Sequence, residues 1–179
     1  MFGLPSYSVH TVLVLDIDGV VCPASEFSPF GELVEVGAVL RPVRVPPALC
    51  AALDRLATLP DVTPVWLTSW PPEARRAMRQ PFPGHDWEQI DLHPDEGWPK
   101  WPALDAWLAS NPRITRVAWV DDDLDGRPPT SRIRSYTEEL GRRGVEALLI
   151  APATAHGLGP DHIANLEHWI GRHRAQPKP

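Results

Sequence analysis

The chain has 179 residues, 43% of them apolar and 22% charged, which is enough for a packed core and excludes a disordered polyelectrolyte. Its net charge of −6 argues against a protein that relies on a broad basic surface to hold nucleic acid. Two cysteines, Cys22 and Cys50, are too few for a disulfide framework or a zinc site, and fit buried thiols in a reducing compartment.

Short apolar runs alternate with helical stretches, the pattern of an α/β, Rossmann-like parallel sheet with helices on both faces. The first strand is expected over residues 11–15. A Gly/Pro/Ser-rich passage follows, in which the runs 33–36 and 38–40 read as a small hairpin or flap within about 19–45. Pro46 and Pro47 open a helix to about residue 57, with Leu49, Leu53 and Leu56 on one face. The second strand is expected at 63–67, a short helix at 73–78, and an irregular proline-rich stretch at 80–99. A helix from 101 to about 109 leads to a third strand at 116–120. A helix at 131–143 ends at Gly144, a fourth strand spans 145–150, and a last helix covers about 160–171. These elements form a single domain over 1–179 with a loose tail at 173–179. Neither the start of the chain nor its apolar runs resemble a signal peptide or a membrane span, so a cytoplasmic protein is expected.

Open parallel sheets bind ligands beyond the carboxyl ends of their strands, so the residues that follow each strand carry the functional reading. After the first strand comes Asp16-Ile17-Asp18-Gly19, after the second Thr68-Ser69, and after the third Asp121-Asp122-Asp123-Leu124-Asp125. Of 17 basic residues, 15 are arginine, yet one interior lysine, Lys100, stands at the start of the helix before the third strand. These types suit phosphoryl transfer, in which a carboxylate can attack an anionic ester only if other groups offset the charge. Asp16 is placed to act as nucleophile. Asp18, two residues on along an extended segment, projects from the same face as general acid and then base. Thr68, or else Ser69, offers a hydroxyl to the phosphate, and Lys100 a compact positive charge. Asp121 and Asp122 join Asp16 in an all-oxygen site suited to Mg²⁺, although three consecutive aspartates and Asp125 leave the metal-facing pair open.

The ordered set VLVLDIDGV (12–20), VWLTSW (65–70), Lys100 within GWPKWPALDAWL (97–108) and VAWVDDDLD (117–125) resembles the haloacid dehalogenase (HAD) superfamily of phosphohydrolases. The resemblance implies Asp16 as nucleophile, Asp18 as general acid/base, Thr68 and Lys100 on the phosphate, and Mg²⁺ held by Asp16, Asp121, Asp122 and the backbone carbonyl of Asp18. An acid at position 18 favours phosphatases over the members that cleave carbon–halogen bonds. The LTSW segment and the run Gly157-Leu158-Gly159-Pro160-Asp161-His162 before the Trp169 helix resemble the HAD domains associated with RNA-repair proteins.

Superfamily members often carry a cap domain. Both inserts here are too short for a lid with its own core, so an open site is expected that admits an accessible phosphate such as a nucleic-acid end. Trp66, Trp107 and Trp119 read as core. Trp70, Trp98 and Trp101 lie near site elements, where packing is favoured over stacking on a base. Two other readings use the same residues: a receiver-like phosphoacceptor module, and a non-catalytic binding domain on a HAD scaffold. The oligomeric state is left open.

Overall fold

Strand β1 (His10–Leu15) sets the architecture. Its residues alternate between faces, as the twofold period of a strand requires, and both faces are covered. Leu13 and Leu15 pack into one apolar layer with Leu49, Leu53 and Leu166, while Val12 and Val14 pack into another with Leu104, Trp119 and Leu140. The computed structural model describes residues 10–37, 42–82, 87–92, 98–126 and 130–172.

After β1 come β2 (Val34–Val36), β3 (Val43–Val45), α1 (Pro47–Ala57), β4 (Val62–Trp66), α2 (Pro72–Arg75), β5 (Glu88–Gln89), α3 (Lys100–Ser110), β6 (Ile114–Val120), α4 (Thr130–Arg142), β7 (Glu146–Ile150) and α5 (Pro160–Gly171). The main sheet runs β5-β4-β1-β6-β7 and every pairing in it is parallel. Helices α1 and α5 cover one face, α3 and α4 the other. This is the expected Rossmann-like α/β class. The chain first builds outward from β1 through β4 to β5, then crosses to β6 and β7. The switch in direction falls at β1, where a parallel sheet opens its crevice.

Among the described residues, the two inserts form no separate lid. The first forms the antiparallel hairpin β2–β3, and its Val36, Val43 and Val45 join the main apolar layer. Its second arm is Val43–Val45; the run at 38–40 lies outside the described residues, as do the tail at 173–179 and parts of the proline-rich stretch. The second insert holds α2, a 3-10 turn over Arg76–Arg79 and the two-residue β5, and its Met78, Phe82 and Trp87 also pack on the main layer. Among the described residues, no helix is long and apolar enough to cross a membrane.

At the amino end of the sheet, Arg116 of β6 is buried and ties α5 down. Its guanidinium donates to the Trp169 carbonyl at 2.6 Å and to Glu146 Oε2 at 3.1 Å, and lies 3.6 Å from the centre of the Trp169 ring. The last carbonyls of a helix lack partners within it, so a buried cation there satisfies them. Arg116→Met is expected to lower unfolding stability by about 2–3 kcal/mol. A urea melt with unchanged slope checks this; a midpoint equal to that of the parent would refute it.

Candidate active site

Sheet register places the candidate residues. Leu15 is paired with Trp66 of β4 and with Val120 of β6, so the next residues on all three strands leave the sheet at one level. The ladders extend one step further: Leu67 N donates to Leu15 O at 2.9 Å, Asp16 N to Val120 O at 3.1 Å, and Asp121 N to Ile150 O at 3.1 Å. Asp16, Thr68 and Asp121 therefore emerge side by side from backbone that is already hydrogen-bonded.

Lys100, the first residue of α3, reaches into this rim and is only 4% exposed. Its ammonium donates to Asp16 Oδ2 and, at 2.8 Å, to Asp121 Oδ2, with Asp123 Oδ2 at 3.9 Å. Burial alone lowers the proton affinity of an ammonium, but the two carboxylates outweigh it, and the net direction for Lys100 is up. It stays charged. Burial also raises both acids: Asp121 is pushed up to about 7 against the pull of Lys100, and Asp16 moves the same way, opposed by Lys100, the Thr68 hydroxyl and the Ile17 amide. One ammonium does not fully compensate two buried carboxylates.

The 3-10 turn Asp122–Leu124 settles how the three consecutive aspartates divide. Asp121 Oδ1 caps the turn by accepting from Asp123 N at 3.0 Å. Asp122 swings over Gly19. A Cβ at position 19 would stand 2.3 Å from Asp122 Oδ2 and push that carboxylate aside, and the φ of +66° is what demands glycine there. Oxygens of Asp16, Asp121 and Asp122 all lie within 4.8 Å of one another, and no other such acid group occurs among the described residues. Asp125 is exposed and outside this set.

Of the two hydroxyl residues, Thr68 is buried beside Asp16, while Ser69 is exposed. Thr68 Oγ1 accepts from Trp70 N at 3.3 Å, and Gln89 on β5 donates to the Trp70 carbonyl at 3.0 Å, so the loop after β4 is held from two sides.

Asp18 stands apart from the acid cluster and is partly exposed. The Trp70 indole N–H donates to its Oδ2 at 2.7 Å. Nothing in the local sequence pattern pointed to this pairing across 52 positions. Trp98 and Trp101 pack inward instead: Trp98 stacks on Trp119 at 5.2 Å and 8°, and Trp101 lies 4.0 Å from Tyr136. Trp66 and Trp119 are buried, whereas Trp107 is half-buried with its indole N–H donating to Glu88 at 3.1 Å. Both cysteines are free and buried, and burial pushes the Cys50 thiol up to about 12, which rules it out as a nucleophile at neutral pH.

A parallel sheet with an aspartate at the tip of its central strand, a second acid two residues on, and a buried lysine bridging to an acid pair on the neighbouring strand defines a domain of the HAD superfamily. The model of the family described as the HAD domain in Swiss Army Knife RNA repair proteins matches residues 12–163, and the chain belongs to that family. No curated protein and no solved structure matches it.

Proposed function

We propose that the protein is a Mg²⁺-dependent phosphatase that hydrolyses phosphomonoesters through an aspartyl-phosphate on Asp16. The observation that carries this reading is the meeting of Asp16, Lys100, Asp121 and Asp122 at one strand end. Three carboxylates converging on a point, two of them with raised proton affinity, are a hard all-oxygen donor set that a small divalent cation fits. Asp16, Asp121 and Asp122 would hold Mg²⁺, which when bound offsets the negative charge of the phosphoryl group.

The chain's own groups divide the work. An Asp16 oxygen attacks phosphorus as the ester P–O bond breaks, and Asp18 gives its proton to the departing oxygen. Asp18, now ionised, takes a proton from water as that water attacks the acyl phosphate, which frees Asp16 and releases inorganic phosphate. Thr68 donates to a non-bridging oxygen, and Lys100 adds a fixed positive charge that needs no rearrangement during the reaction. The Trp70 indole N–H holds Asp18 in place through Oδ2.

Two features favour a phosphate on a polymer. The described parts of both inserts pack onto the main core, so no separate lid encloses the site, and the family is described from RNA-repair proteins. Nucleic-acid ends therefore stand first among the substrates. The decisive experiment is a panel with Mg²⁺ that compares 3′- and 5′-phosphorylated oligonucleotides with nucleotides, sugar phosphates and phosphopeptides. Hydrolysis of none of them, or a phosphoaspartate that persists without turnover, overturns the phosphatase reading; the second outcome would point to a phosphoacceptor module.

The raised acids make Mg²⁺ binding depend on pH. Below about 7 the metal-free Asp16–Asp121 pair retains a proton that the cation must displace. Mg²⁺ affinity is expected to rise with pH up to about 7 and then level off. The sign for stability is the reverse. A carboxyl raised from 3.8 to about 7 makes the folded state hold a proton that the unfolded chain has lost, so metal-free stability falls as pH rises through that window. Melting with and without Mg²⁺ at pH 6 and 8 checks both, the larger stabilisation being expected at pH 8. Equal shifts at the two values would contradict it.

A further inference from the structure

A leaving group must depart past the acid that protonates it, so the position of Asp18 gives its direction. Asp18 lines a groove of about 410 Å³ together with Gly19, Cys22, Pro42, Arg44 and Thr154 among others, and none of the three clustered acids lines it. One wall is the hairpin. The other is the loop after β7, pinned where Ala24 N donates to Thr154 O at 3.0 Å and Leu158 N to Val20 O at 3.0 Å.

Among the described residues, Arg44 is the one cationic residue that lines it. Strand alternation on β3 turns Val43 and Val45 into the core and Arg44 outward. Both terminal nitrogens of its guanidinium donate to Glu26 Oε1 at 3.3 Å, with the two side chains 46% and 87% exposed. An exposed pair of this kind contributes little and exchanges partners readily. A planar guanidinium with two parallel donors suits the oxygens of a phosphate better than a single carboxylate oxygen.

We infer that this groove is the leaving-group subsite and that Arg44 there binds a second anionic phosphate carried by the leaving group. The inference rests on the phosphatase reading and deepens it. The preferred substrate is a phosphomonoester whose leaving group bears a neighbouring phosphodiester or phosphate, as a nucleic-acid end does and a simple alkyl ester does not. Arg44 makes and breaks no covalent bond. It holds the second anion equally before and during phosphoryl transfer, so its effect falls on KM and kcat/KM rather than on kcat.

The test uses the full chain with Mg²⁺ and a dinucleotide bearing a terminal phosphate at its 3′ or 5′ end. This is compared with the same dinucleotide joined by an uncharged methylphosphonate, so that the pair differs only in the second charge. The kcat/KM ratio of charged to uncharged substrate is expected to be about tenfold. It should approach one in Arg44→Gln, be partly restored in Arg44→Lys, and shrink as salt is raised. Glu26→Gln removes the competing carboxylate and should increase the ratio, whereas a purely structural role for the ion pair would move both variants in the same direction. An alkanediol bisphosphate separates the carriers: hydrolysis as efficient as that of the charged dinucleotide means any second anion suffices, and weaker hydrolysis assigns the subsite to nucleic-acid ends. A wild-type ratio of one, or a ratio unchanged in Arg44→Gln, overturns the inference alone. A wild type that hydrolyses no ester overturns the phosphatase reading and this inference with it.

Discussion

Asp16→Asn is expected to abolish turnover, with kcat falling on the order of 10⁴-fold or more, because it removes the proposed phosphoryl acceptor. An amide is a far weaker nucleophile than a carboxylate, and it also withdraws one charge from the donor set around Mg²⁺. The fold should survive. Asp16 sits at the end of a strand whose backbone bonds to both neighbours stay in place, and the amide can still accept from Ile17 N, which now donates to Asp16 Oδ1 at 2.7 Å. On the proposed mechanism the variant should also lack the alkali- and hydroxylamine-labile phosphoprotein expected from acid-quenched wild type. Retained activity together with retained labelling would place the nucleophile elsewhere.

Lys100→Met should separate three properties that a merely structural lysine would move together. Without the ammonium, the Asp16 and Asp121 carboxylates face each other in a buried setting, and metal-free stability is expected to drop by about 3 kcal/mol, moderated by proton uptake. Activity should fall on the order of 10²–10³-fold, because a fixed charge near the transferred phosphoryl is lost. Mg²⁺ should nevertheless bind more tightly, since a competing cation has left the same acids. Thermal melts across a Mg²⁺ titration, read beside initial rates, resolve the three. Weaker Mg²⁺ binding in this variant would contradict the arrangement described here.

Much of the architecture was legible because it rests on local periodicity. The alternation in Val12–Leu15, the spacing of Leu49, Leu53 and Leu56, and Gly144 after α4 each follow from rules that act over a few residues. Parallel pairing then brings the ends of β1, β4 and β6 together without further information. Lys100 was legible through composition, since a chain that otherwise uses arginine keeps a lysine where a compact ammonium fits between two acids. What stayed hidden depends on contacts between distant segments. Three aspartates in a row carry no phase, and only the 3-10 turn sends Asp122 over Gly19 and leaves Asp123 at the edge. The Trp70 bond to Asp18 joins two loops whose separation no periodic pattern encodes. Val43-Arg44-Val45 was hard to read as a hairpin arm because Pro42 and Pro46 flank it, and prolines demote so short a run. Yet those three residues carry both the core contact and the cation of the groove.

The close approach of Gly19 to Asp122 interlocks two motifs that lie far apart in the chain. A methyl group at the first position would push the Asp122 carboxylate out of the place it holds beside Asp16 and Asp121, so the two sites constrain each other. Homologues with a side chain in place of the glycine should therefore hold the second of the clustered acids turned aside, or not at all, and with it an altered ligand set. Divergence at one small hydrogen-for-methyl position would then mark, from sequence alone, the relatives that have given up the chemistry while keeping the scaffold.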